Sequence, residues 1–203
     1  MKLFQYVTEW VLRLIWTNLL WIGYTLLGLV VFGVMPATVA LFTVTRRWTR
    51  KEFDFSIWDE FKETYFSEWK KSNKIGVVFW IIGFVLVADL RFALHIEGFY
   101  SLFLLFFFIF LSLIFMMTLI FFFPIYVHYT YSIKDYIKQS LIYSVVSIKA
   151  TIMILLGLFF IGFLIYKTPG FIPFLTGVLP AYWIMNVCMK KFHQLEEAYA
   201  KKS

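Results

Sequence analysis

From Phe99 to Ile125 the chain reads FYSLFLLFFFIFLSLIFMMTLIFFFPI without a charged residue. A helix needs only about 20 such residues to cross a bilayer's hydrocarbon core. Further apolar runs flank it, and 203 residues cannot bury them all in a core of their own. Backbone polar groups in lipid must be satisfied within the chain. The expected fold class is therefore an all-α integral membrane helical bundle. Composition agrees, with 62% hydrophobic and 15% charged residues. A soluble domain has roughly half and a quarter. The 26 phenylalanines suit a lipid-facing surface or an AT-rich genome, and need no dedicated aromatic function.

About five spans are expected in one membrane domain, residues 1–203, near 12–33, 75–95, 99–127, 146–166 and 171–189. Residues 1–10 read as a separate interfacial piece. Gly33 and Pro36 interrupt the first apolar run. A glycine ends helices and a proline is tolerated in a first turn. Residues 36–50 thus read as a second helix, continuing from the first span towards the cytoplasmic interface. Trp58, Phe61, Tyr65, Phe66 and Trp69 follow at spacings of three and four, which place them on one helical face. Acids and lysines fill the remainder, so this reads as an amphipathic helix lying on the membrane or on a partner. The region 36–74 is accordingly expected at the cytoplasmic interface, Pro124 to kink the third span, and Pro180 to break the fifth. Residues 190–203 read as a soluble tail. GVMPA (33–37) and GVLPA (177–181) match at four of five positions, and chance suffices for two apolar helices.

The net charge of +7 lies between the apolar runs. It reads as a topology signal facing anionic lipid, with no nucleic-acid partner expected. Fifteen Lys and Arg fall in the 45–74 loop, the 128–149 loop and the tail, against four elsewhere. With five spans this places the N-terminus outside and the C-terminus in the cytoplasm. The first run has no small-residue cleavage site and reads as a retained span. The single cysteine, Cys188, excludes an intrachain disulfide.

Asp89, Arg91 and His95 form the tight ionisable cluster beside a span. They are candidates for a polar path or for an interfacial anchor. No expected span carries a central carboxylate or lysine, which ion-coupled carriers generally need. No nucleotide loop, zinc motif or nucleophile elbow occurs. The three histidines fall in different segments. No catalytic residue, cofactor or metal site is expected, and the chain is not expected to be an enzyme.

The stretch NLLWIGYTLLGLVVFGVMPATVALFTVTRRW (18–48) resembles the YesL-like family of uncharacterised bacterial membrane proteins. Asn18, Trp21, Gly28, Gly33, Pro36, Ala37, Thr38, Ala40 and Arg46–Trp48 carry the likeness. Trp58, Phe61, Phe66, Lys71–Asn73, Gly76, Asp89 and the 121–132 stretch continue it. The resemblance implies a multi-pass protein of the bacterial cell membrane. Such proteins are often encoded beside carbohydrate ABC importers, which implies an accessory subunit aiding importer assembly, stability or regulation. Importer permease subunits are then the expected partners. Pro36, Trp58, Phe61, Phe66 and Trp69 are the contact candidates. The permease's own ATPase-docking loop is missing here. The alternatives are a small transporter for a sugar or envelope precursor, and an envelope-homeostasis or signalling protein. A transporter calls for a polar cavity lined by residues such as Asn18, Thr25, Asp89, Arg91, Thr118 and Asn186.

Overall fold

The computed structural model describes residues 2–200, and among these it is helical with no strand. The first helix, α1, runs over Lys2–Leu27. Residues 2–10 belong to it, because no proline or turn sequence interrupts them; the separate interfacial piece expected there does not form. The first span ends at Leu27 and does not reach 33.

Residues 28–33 reverse the chain. The N–H of Val30 donates to the carbonyl of Thr25 (3.0 Å), and that of Val34 to Val30 (2.9 Å). Two backbone segments meet here with no room for a side chain. A Cβ on Gly28 would lie 2.3 Å from the Gly33 Cα, and one on Gly33 2.2 Å from the Thr25 oxygen. Leu29 (φ 54°) and Val30 (φ 64°) adopt the left-handed region, where a β-branched residue is strained.

The second helix, α2 (Val34–Thr49), runs back along α1. The Trp21 indole donates to Thr38 Oγ1 (3.2 Å), and Trp10 meets Trp48 edge to face (5.6 Å). The later position on α1 thus pairs with the earlier one on α2. So α2 returns antiparallel to α1, instead of extending it to an interface. It forms the centre of the molecule, with α1, α3, α4 and α8 packed around it. Ala37, Ala40 and Val44 are wholly buried; small residues let helix backbones approach closely.

The third helix, α3, spans Ile57–His95. The Ser56 hydroxyl accepts from the Asp59 N–H (3.3 Å). Asp59 and Glu60 place negative charge in the first turn. The expected amphipathic helix and second span are one element, because a change from charged to apolar sequence does not break a helix. Gly98, at φ 102°, turns the chain into α4 (Phe99–His128). That helix packs back through Phe79–Phe122 (4.8 Å) and Phe42–Phe123 (5.4 Å), and it runs on through Pro124 to its end. The Arg46 guanidinium donates to the Val127 carbonyl in the last turn of α4. A cation there complements the negative end of the helix dipole.

Helices α5 (Ile133–Val146) and α6 (Ile148–Lys167) are divided at Ser147. After a 3-10 turn at Pro169–Phe171 come α7 (Ile172–Leu175) and α8 (Val178–Ala200). The 59° bend falls at Thr176–Gly177, ahead of Pro180. The latter sits in the first turn of α8, where a missing N–H costs little. Residues 190–200 extend α8 instead of starting a tail helix. Among the described residues, four helices are long and apolar enough to cross a membrane: Phe4–Leu27, Ile57–His95, Tyr100–His128 and Ile148–Lys167. The bent pair Pro169–Leu175 and Val178–Glu197 would make a fifth span. The chain is an all-α, multi-pass membrane bundle.

Candidate functional site: a groove between α1 and α3

The aromatic face of α3 folds inward onto α1. The Tyr65 hydroxyl donates to the Tyr24 carbonyl (3.0 Å), and the Tyr24 ring lies 5.3 Å from Phe61 and 4.7 Å from Tyr65. Phe61 is 0% exposed. Its neighbours on the stripe stop at the edge of this contact. Trp58 is 45% exposed and Phe66 56%, while Trp69 is half-buried with its ring 5.2 Å from Tyr65. Between the helices lies an open apolar groove of about 480 Å³. Trp16, Leu19 and Gly23 of α1 form one wall, and Trp58 and Phe66 of α3 the other, with Lys62 at the rim. A Cβ on Gly23 would meet nothing within 4 Å, so the α1 backbone is open to close approach.

Charge pairs fix the approach of α3 to α2. Arg47 binds both Glu52 and Glu60, and its guanidinium lies 4.1 Å over the Phe55 ring. Beyond the groove, Tyr126 donates to Glu68, and the Lys71 ammonium sits 4.8 Å over the Tyr126 ring. Burial raises the Tyr129 hydroxyl above its ordinary pKa.

The candidate contact residues are therefore divided. Pro36 and Phe61 are core residues and cannot touch a partner directly. Trp58 and Phe66 remain on the surface, with Trp69 between. Asp89, Arg91 and His95 lie at the far end of α3, roughly 35 Å of helix from Phe66 to Asp89. Arg91 and His95 are exposed, and His95 Nδ1 lies 2.7 Å from the Arg91 carbonyl. Asp89 and Arg91, two apart, face different ways. His128 and His193 approach one carboxylate, Glu196, at 3.4 and 3.8 Å.

Asn18 has a role that composition does not signal. Its Oδ1 accepts from the N–H groups of Gly177 (2.8 Å) and Val178 (2.9 Å), and its Nδ2 donates to the Pro173 carbonyl (2.9 Å). This one buried amide satisfies the break between α7 and α8. A Cβ on Gly177 would lie 2.7 Å from the Trp21 ring, so Trp21 closes the same joint. A lone amide in an apolar run is the signal that marks such a position. Asn18, Thr25, Asp89, Arg91, Thr118 and Asn186 line none of the five clefts described in the structure.

The profile of a family described as "Protein of unknown function, DUF624" matches residues 14–90, which take in the second half of α1, all of α2 and most of α3. Three proteins of Bacillus subtilis (strain 168) are similar over nearly the whole chain. "Uncharacterized protein YteU" is 35% identical, covering 93% of this chain and 85% of its own length. "Uncharacterized protein YesV" is 32% identical, covering 93% and 90%. "Uncharacterized protein YesL" is 30% identical, covering 95% and 91%. No solved structure matches the chain.

Proposed function

This chain belongs to the DUF624 family that includes the YesL-like proteins, and on that premise we propose that it is an accessory subunit of a carbohydrate ABC importer, in the bacterial cell membrane. It acts by packing against a permease subunit and supporting assembly, stability or regulation, with no chemistry of its own. The observation that supports this is the groove between α1 and α3. Its Trp58 and Phe66 walls stay exposed although Phe61 and Tyr65 of the same stripe are buried. Its floor at Gly23 is open, and small residues are where membrane helices associate. The occupant on this reading is one transmembrane helix of the permease. The transporter alternative has less support, since the polar residues it needs share no described cleft.

The antiparallel return of α2 also bears on orientation. It brings the N-terminal end of α1 to the same end as the basic segment that follows α2. With the N-terminus counted there, fifteen Lys and Arg of the described residues lie on one side of the bundle and two, Arg91 and Lys167, on the other. That asymmetry favours both termini in the cytoplasm, in place of the outside N-terminus expected from five spans.

The test is co-purification in mild detergent from the native host. Gly23→Leu fills the groove where nothing obstructs the new side chain, and Trp58→Ala with Phe66→Ala removes its walls. Both variants are expected to lower recovery of importer permease at least fivefold while accumulating normally. Undiminished recovery from both would sink the reading.

A further inference from the structure

A second cleft, of about 570 Å³, lies between the start of α6 and the outer face of α8. Three lysines line it: Lys149 from α6, and Lys190 and Lys191 from α8. None of them makes an ion pair among the described residues. Ser147 lies at its inner edge. The side chain is 3% exposed, and its Oγ is shielded from water without a hydrogen-bond partner. A buried hydroxyl of that kind ordinarily has one. Ser147 also precedes α6, whose N-terminus has no side-chain cap. The first turn of a helix leaves N–H groups unpaired and carries the positive end of the dipole.

Three unpaired ammonium groups, a serine with an unused hydroxyl and an uncapped helix start thus border one concavity. Each of them seeks negative charge or an acceptor, and phosphate oxygens meet all three. We propose that this cleft binds a phosphate oxyanion, with Lys149, Lys190 and Lys191 supplying charge, the first α6 N–H groups supplying hydrogen bonds, and Ser147 Oγ joining them once its side chain turns outward. Val146, Ile148 and Ile152 beside it are exposed apolar residues, so a phospholipid could place its headgroup in the cleft and its chains along α6. The inference does not depend on importer association.

The test uses the full chain, delipidated in a non-ionic detergent, and reads its Tm with phosphatidylglycerol, phosphatidylcholine or inorganic phosphate. Saturating phosphatidylglycerol is expected to raise Tm by about 5 °C, and phosphatidylcholine far less. The triple variant Lys149→Gln, Lys190→Gln, Lys191→Gln should lose the rise while keeping the wild-type Tm in phosphatidylcholine. Ser147→Ala should reduce the rise. A lysine-dependent rise with inorganic phosphate alone identifies a free phosphate as the ligand, and one with phosphatidylglycerol alone a lipid. The proposal fails if neither addition shifts Tm. It fails equally if the triple variant responds like wild type, or if Lys62→Gln, Lys70→Gln, Lys134→Gln at distant surface sites abolishes the response as completely.

Discussion

At the scale of single residues, Asn18 is the side chain on which most backbone depends. It answers two N–H groups and one carbonyl at a helix break. In lipid no water would replace it. Hydrogen bonds between membrane helices average only about 0.6 kcal/mol each in mutant cycles, while orphaned buried groups cost about 1–3 kcal/mol each. Asn18→Ala should therefore destabilise the protein by about 2 to 4 kcal/mol, read as denaturant unfolding in detergent. Asn18→Asp keeps both acceptor bonds, and when protonated its O–H also donates to Pro173, so a smaller loss is expected at low pH and a larger one at high pH, where the buried charge is unpaired. Val30 is the opposite case. Its left-handed backbone stores strain, and its side chain is 52% exposed. Val30→Gly should raise stability by about 1 kcal/mol, and an unchanged or lowered unfolding midpoint would show that the reversal is unstrained.

At the scale of elements, α3 shows where sequence reading succeeds and where it stops. The spacing of Trp58, Phe61, Tyr65 and Trp69 marked a helical face correctly. The face's occupant was not legible, because Tyr24 of α1 can meet it only through a chain reversal that 28–33 does not advertise: its two left-handed residues are Leu29 and Val30, types that seldom adopt that conformation. The start of α2 at Gly33 and Pro36 was legible from local chemistry, its direction was not. The same holds for GVMPA and GVLPA. Each occupies the first turn of a helix that begins immediately after a break, α2 and α8, and both glycines rest against α1. A shared local task accounts for the matching residues where sequence alone favoured coincidence. Gly76 lies at a tight joint of α2 with α3; a Cβ there would lie 2.6 Å from Met35 Cγ. Gly76→Leu should cost about 1–3 kcal/mol by overpacking. Met35→Ala is expected to restore part of it, a coupling that a double-mutant cycle measures.

At the scale of the molecule, the apolar runs and the excess of basic residues determined the class and the approximate span number, but the count of crossings turned on one reversal. Reading α2 as an onward helix set the termini on opposite sides, whereas on the orientation proposed above its return sets them together. Single-cysteine variants distinguish these arrangements, because the native Cys188 is buried. In intact cells, an impermeant maleimide should label Glu97→Cys and Gly170→Cys but not Gln5→Cys or Ser56→Cys. Labelling at position 5 would restore an external N-terminus.

The amide clamp also has a consequence for synthesis. Asn18 and Gly177 stand 159 positions apart, so the acceptor amide, made early, waits for nearly the whole polypeptide before its donors at the start of α8 appear. Until then the first helix carries an unanswered amide in lipid. Insertion should accordingly be slow at its final step, and chains released from the ribosome before α8 is made should be prey for membrane proteases, while the completed chain escapes them.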